Sequence, residues 1–287
     1  MSLKDAWQRS GYFRVGIVLF GLLILIALIQ PWLNRLLIGD INPITMGSFK
    51  AYLPPSAEHW LGTDRWGRDW MAQLLLGLRY SLLIGAIAGL AATFVGILFG
   101  FVAGYKGGRL DSILRTGTDM VLVIPSWPLL VTLSAYIPKL TIPIMALLLA
   151  LFSWPWAART IRSQVMSLKG RPYVDLAIAT GMGDLEIIFT EILPNLLPYL
   201  GVSLASSMVG AILAEVGLEL IGLGPGDITT LGLMINWATR WGALALGKWQ
   251  MVFAPVVMLV LIFVSLNLIN MGLEQAYNPR LREVTGA

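Results

Sequence analysis

The most constraining feature of this 287-residue chain is a series of long apolar runs with almost no charge in them. A helix needs about 20 mostly apolar residues to cross the hydrocarbon core of a bilayer. Hydrophobic residues make up 57% of the chain and charged residues only 13%, and one soluble core could not bury so much apolar surface. The sequence therefore predicts an all-α integral membrane protein with six candidate spans, at 14–36, 80–104, 119–137, 141–159, 196–217 and 251–273.

The first apolar run predicts an anchor helix that stays in the mature protein. Lys4, Arg9 and Arg14 precede it, but the residues after it, QPWLNRLL, contain no signal-peptide cleavage site. We therefore divide the chain into a tail at 1–13, the anchor at 14–36, a loop at 37–78, a five-helix core at 79–274 that includes a polar loop at 160–195, and a tail at 275–287.

The basic residues predict the orientation of the chain, because short cytoplasmic loops are enriched in Lys and Arg. If the N-terminus is inside, twelve of the 20 Lys and Arg residues fall on inner segments and the other eight on outer ones. We therefore expect both termini to be cytoplasmic. We interpret the net charge of +4 as this topology signal, and expect no nucleic-acid partner.

The rare residue types exclude several kinds of chemistry. The chain has no cysteine, which excludes disulfides, thiolate metal sites and cysteine nucleophiles. Its single histidine, His59, cannot form a multi-histidine metal site, and we expect it at the surface. The sequence therefore predicts no catalytic site, metal or cofactor.

Five glycines in the second run, at 85, 89, 96, 100 and 104, repeat at spacings that place them along one helical face. Small residues let another helix approach closely in a membrane. We expect ordinary packing inside the bundle, with a contact between subunits as the alternative.

A polar stretch, YVDLAIATGMGDLEIIFTEILPN at 173–195, interrupts the apolar pattern. Pro172 suits a first helical position, and Gly181 with Gly183 should end that helix. Asp184 can cap a second helix, which Pro194 should end. We predict two short amphipathic helices. Helices this short need support, either from their own bundle and the lipid interface or from a groove on a partner protein.

This polar stretch resembles the cytoplasmic EAA loop of ABC importer permeases. Asp175, Leu176, Ala177 and Gly181 occupy the E-A-A…G positions, with Asp replacing Glu and Leu replacing the first Ala. Four further segments resemble the dipeptide/oligopeptide/nickel permease family in the same order, so that the resemblance covers about residues 10–283: HWLGTDRWGRDWMAQLLLGLRYSLLIG, GYKGGRLDSILRTGTDMVLVIPS, ILAEVGLELIGLG and NPRLRE.

The resemblance implies a type I ABC permease fold in a prokaryotic cell membrane, without enzymatic activity of its own. It also implies that the first short helix of the polar stretch is a cytoplasmic coupling helix. The implied partners are a second homologous permease subunit, two cytoplasmic ATPase subunits and an extracytoplasmic solute-binding protein. Peptide is the expected cargo, with oligosaccharide or nickel as alternatives; a self-sufficient channel or secondary transporter is the rival function. The resemblance assigns the ATPase contacts to Tyr173, Asp175, Leu176, Ala177, Gly181 and Asp184.

Two glutamates near the end of the fifth run, Glu215 and Glu219, are candidates for the translocation path. They are four residues apart and share one helical face. Ionisable groups at membrane depth are costly and usually face an interior cavity. Either they line the path, or they pair inside the protein or reach its interface.

The outer loops offer candidate contacts for the binding protein, each with a structural alternative. Asp64, Arg68 and Asp69 either meet that partner or order their own loop, with Asp64 as a helix cap and an Arg–Asp pair. Trp237 and Trp241 are either interfacial aromatics or surfaces on which a partner or a sugar ring stacks.

Overall fold

The computed structural model describes residues 7–8 and 10–277, and these contain helices but no β-strand. Most of the two predicted tails, including NPRLRE, lies outside the described residues. The helices are α1 (Gly11–Ile38), α2 (Trp70–Lys106), α3 (Gly108–Val123), α4 (Ser126–Tyr136), α5 (Ile142–Lys169), α6 (Pro172–Ala179), α7 (Asp184–Leu220), α8 (Leu231–Arg240) and α9 (Gln250–Tyr277).

The predicted all-α membrane architecture is confirmed. Among the described residues, α1, α2, α5, α7 and α9 are long and apolar enough to cross a membrane, and α3 with α4 gives a sixth span if that bent pair is counted as one.

The third predicted span, 119–137, is wrong as a single helix. It is the end of α3 and all of α4, which meet at an angle of 74°. Ile124 at the bend is extended (φ −68°, ψ 126°), because the ring of Pro125 disfavours a helical conformation in the residue before it. Hydropathy does not detect this break, since both sides of it are apolar.

The prediction of a second short helix is also wrong, since residues 184–195 form the start of the long helix α7. The helix α7 continues through Pro194 with a π-helical turn at Ile188–Ile192. Pro194 has no N–H to donate to the preceding turn, and the wider turn just before it lets the helix continue without that hydrogen bond. The polar stretch therefore contains part of one independent short helix, α6, and the start of α7.

The glycine face of α2 packs inside the chain, as predicted. A Cβ at Gly89 would lie 2.5 Å from Met208 of α7, and one at Gly96 would lie 2.6 Å from Ala157 of α5. Gly85 faces α7 in the same way, while Gly100 and Gly104 face α5. The glycine face thus contacts two neighbouring helices, and α2 forms the centre of the bundle.

Candidate functional site

The short helix α6 joins the two long helices α5 and α7, and its boundaries follow from local sequence. Arg171 is extended (φ −90°, ψ 143°), as expected for a residue before proline, and Pro172 begins the helix. Asp175 lies in the first turn, where a negative charge is favourable to the helix dipole.

A Schellman motif ends α6 at Gly181. The N–H of Gly181 donates to the carbonyl of Ile178 (3.0 Å), and the N–H of Met182 donates to that of Ala177 (3.1 Å). Gly181 has a φ of +82°, and no heavy atom lies within 4 Å of a Cβ built there. A side chain at this position would therefore strain the backbone without colliding with a neighbour.

The inner face of α6 rests on the ends of the long helices. Val174 and Ala177 are buried in one apolar cluster. The other buried members of that cluster come from α2, α5 and α7: Tyr105, Ala157, Ile161, Val165, Ile187, Ile192 and Leu196. This packing supplies the support that an eight-residue helix lacks alone.

The outer face of α6 and the first turns of α7 expose large apolar side chains. Leu176 is 66% exposed, Leu185 71% and Phe189 63%. The carboxylate of Asp175 and the turn at Gly181 are exposed beside them. We name this surface the loop face; it consists of Asp175, Leu176, Ile178, Gly181, Leu185 and Phe189.

The predicted ATPase contacts thus do not all lie on the loop face. Asp175, Leu176 and Gly181 lie on the loop face, whereas Ala177 points into the bundle. Tyr173 is half-buried, and burial raises the pKa of its phenol, which therefore stays neutral.

Asp184 does not cap a second helix, contrary to the prediction. Gly183 occupies the cap position, and the Asp184 carboxylate accepts a hydrogen bond from the Tyr105 hydroxyl (3.0 Å) and lies 3.5 Å from the Lys106 ammonium. Lys169 donates to the Tyr105 carbonyl (2.6 Å). Asp184 therefore fixes the start of α7 to the end of α2, and α5 joins the same contact.

Ion pairs between α3 and α5 were not predicted from the sequence. Arg162 donates to both oxygens of Asp111 (2.5 and 2.6 Å), and Arg159 donates to Asp119 (2.6 Å). Arg115 is 3.6 Å from the same Asp119. Asp111, Arg115 and Asp119 recur in the sequence at a spacing of four residues, which places them on one face of α3, but this spacing does not identify their partners.

Glu215 and Glu219 are completely buried between α2, α7 and α8. Ser81 of α2 donates to Glu215 (3.1 Å) and accepts from the N–H of Leu231 at the start of α8 (3.1 Å). A Cβ at Gly232 would collide with the Glu219 carboxylate. Both glutamates therefore lie at the N-terminus of α8, whose dipole favours negative charge.

The loop before α2 buries Asp64, Arg68 and Asp69, and two of the predictions for this loop are wrong. His59 is buried, with Nδ1 2.8 Å from Asp69 Oδ2, and is not a surface residue. Asp69, and not Asp64, caps α2, by accepting from the N–H of Ala72 (2.7 Å). The predicted Arg–Asp pair is confirmed: Arg68 Nε lies 2.7 Å from Asp64 Oδ2.

Trp237 and Trp241, from α8 and the residue after it, pack on this loop. Trp66 lies edge-on to both rings, at centroid distances of 5.5 and 4.8 Å. The Arg68 guanidinium lies 4.5 Å from the ring of Trp66 and 4.6 Å from that of Trp237. We name residues 39–69 together with α8 the cap.

Known proteins are similar to this sequence over most of its length. Residues 96–283 match the family described as binding-protein-dependent transport system inner membrane component. The chain is 31% identical over 284 residues to the dipeptide transport system permease protein DppC of Bacillus subtilis, an alignment that covers 97% of this chain and 86% of the relative. It is 36% identical over 240 residues to the oligopeptide transport system permease protein OppC of Mycobacterium tuberculosis, covering 82% and 81%. The chain therefore belongs to the family of inner-membrane components of binding-protein-dependent transport systems, and it is a multi-pass transport permease.

Proposed function

We propose that this permease is half of the translocation pathway of an ATP-driven importer, and that the loop face receives the ATPase subunit. The observation that carries the proposal is the exposure of Leu176, Leu185 and Phe189 around α6. Large apolar side chains grouped on one surface mark a contact site. A protein partner suits the site better than lipid alone, because the same short helix also exposes the Asp175 carboxylate and ends in a polar turn at Gly181.

The packing of α6 supports a mechanical role for this contact. Val174 and Ala177 connect the helix to the ends of α5 and α7, and Asp184 connects α7 to α2. A partner that pulls or pushes α6 would therefore move three long helices at one end. ATP binding and hydrolysis on the partner would in this way open and close the pathway.

The same proposal extends to the cargo and to the partner subunits. The relatives named above are dipeptide and oligopeptide permeases, so we propose peptide as the cargo. The complete transporter would contain a second related permease, two ATPase subunits and an extracytoplasmic solute-binding protein. Both termini and the loop face would be cytoplasmic, and the cap would face the binding protein.

For the buried charges, we propose structural roles. Glu215 and Glu219 have no exposed surface, and Ser81 donates to Glu215, which supports a place inside the protein over one on an open path. Asp64, Arg68 and Asp69 are likewise buried and paired. A binding-protein contact stays a prediction for the half-buried Trp237 and Trp241.

Cross-linking tests the docking proposal, because the chain has no cysteine. Leu176→Cys in the assembled transporter, treated with a thiol-to-amine cross-linker, should give a covalent adduct with the ATPase subunit. Leu246→Cys is the matched control, since Leu246 is 56% exposed in the loop after α8, beside the cap. Adducts from Leu246→Cys but none from Leu176→Cys would refute the proposal.

A further inference from the structure

A cavity of about 350 Å³ lies between α2, α3 and α5, outside the surfaces discussed above. Phe99, Leu114 and Ala158 contribute to its apolar wall. Its polar wall carries three arginines and a single aspartate: Arg115, Arg159, Arg162 and Asp119.

The charges around this cavity do not balance. Arg162 is neutralised by Asp111, to which it donates two hydrogen bonds. Arg115 and Arg159 share the single carboxylate of Asp119, at 3.6 and 2.6 Å. One guanidinium charge is therefore in excess, and a guanidinium has five N–H donors, most of which remain available here.

The side chains around the mouth of the cavity are of kinds typical of the level of lipid headgroups. Trp156 is 64% exposed one turn before Arg159, whose guanidinium lies 5.8 Å from its ring. Exposed tryptophan is typical of the membrane–water interface. Leu98 and Val102 on α2 are exposed apolar residues, which suit contact with acyl chains.

We infer that this cavity binds the phosphate headgroup of an anionic phospholipid. The two unesterified oxygens of a phosphodiester match the paired N–H donors of the arginines. The apolar wall would accommodate the start of the acyl chains, and basic pockets between membrane helices are suited to such headgroups. A bound lipid would fix the distance between α3 and α5 at the end of the bundle that carries α6.

Native mass spectrometry of the full chain, purified in a non-ionic detergent, tests this inference. Phosphatidylglycerol should be retained at least about fivefold more than phosphatidylcholine, since each arginine near an anionic headgroup contributes roughly a fivefold factor. The double variant Arg115→Gln/Arg159→Gln should lose that preference. Arg109→Gln is the control, because Arg109 is an exposed arginine on the same helix that does not line the cavity.

A second variant keeps the test decisive if the double variant does not fold. Asp119→Asn removes the carboxylate that competes with phosphate, and should increase retention of phosphatidylglycerol. Equal retention of both lipids by the wild-type chain would overturn the inference. So would binding of inorganic phosphate with the same dependence on Arg115 and Arg159 but no retained lipid.

Discussion

The cap and the loop face lie at opposite ends of α2 and use polar and apolar residues in opposite ways. In the cap, Asp64, Arg68 and Asp69 are charged and buried, and each is bonded within the chain. On the loop face, Leu176 and Phe189 are apolar and exposed. The 37 residues of α2 separate these two surfaces by about 55 Å.

This difference shows which surface is complete within the chain. A buried ion pair whose partners are both present needs no further protein, and losing one partner is costly. An exposed apolar surface gains stability when another molecule covers it. The buried charges of the cap are therefore paired within the chain, whereas the loop face is the surface that we propose a partner covers.

The largest expected effect is at the buried ion pair of the cap. Asp64→Asn replaces the oxygen that faces the Arg68 guanidinium with an amide donor, leaving a buried charge unpaired. We expect a loss of about 3–5 kcal/mol in the free energy of unfolding, seen as a lower thermal midpoint of the purified protein. The control Asp40→Asn breaks the pair with Arg35, which is exposed and should matter little. Equal midpoints for both variants would contradict the comparison.

A smaller effect is expected at the junction of α2, α7 and α8. Ser81→Ala leaves Glu215 without its hydroxyl donor and the Leu231 N–H without its acceptor. The free energy of unfolding should fall by about 1–3 kcal/mol, whereas Ser163→Ala, at an exposed hydroxyl, should change it little.

The same variant distinguishes the structural role that we propose for Glu215 from a role in the translocation path. Reduced thermal stability of Ser81→Ala supports a structural role for Glu215. Unchanged stability with altered peptide uptake would favour the translocation path instead, and would contradict the structural proposal.

Local sequence predicted the ends of α6, although it did not locate the bend before Pro125 or the cap of α2. Pro172 and Gly181 set the two ends of α6, because the restrictions imposed by proline and by a positive φ depend only on adjacent residues. The spacing of the glycines in α2 predicted close packing for the same reason, although it did not show that Gly89 faces α7 while Gly96 faces α5.

Features that depend on distant residues were missed or wrongly predicted. His59 is buried because Asp69 lies beside it in the folded loop, and helical or charge patterns carry no information about such a contact. The pairing of Arg162 with Asp111 joins residues 51 positions apart. The candidate coupling residues were identified by resemblance, but their division into Ala177 facing inward and Leu176 facing outward required the fold.

The central claim is that α6 transmits force from a partner through the loop face, and Gly181 gives the most direct measurement of it. Valine at a φ of +82° should cost at least about 1–2 kcal/mol of backbone strain, and this strain distorts the end of α6 without a collision. Asparagine tolerates that conformation and is the matched control.

ATP hydrolysis and peptide uptake should be measured together on the assembled transporter reconstituted in vesicles. We predict that Gly181→Val lowers the ratio of uptake to hydrolysis severalfold or prevents assembly, whereas Gly181→Asn stays near the wild-type ratio. Assembly and a wild-type ratio in Gly181→Val would contradict the account.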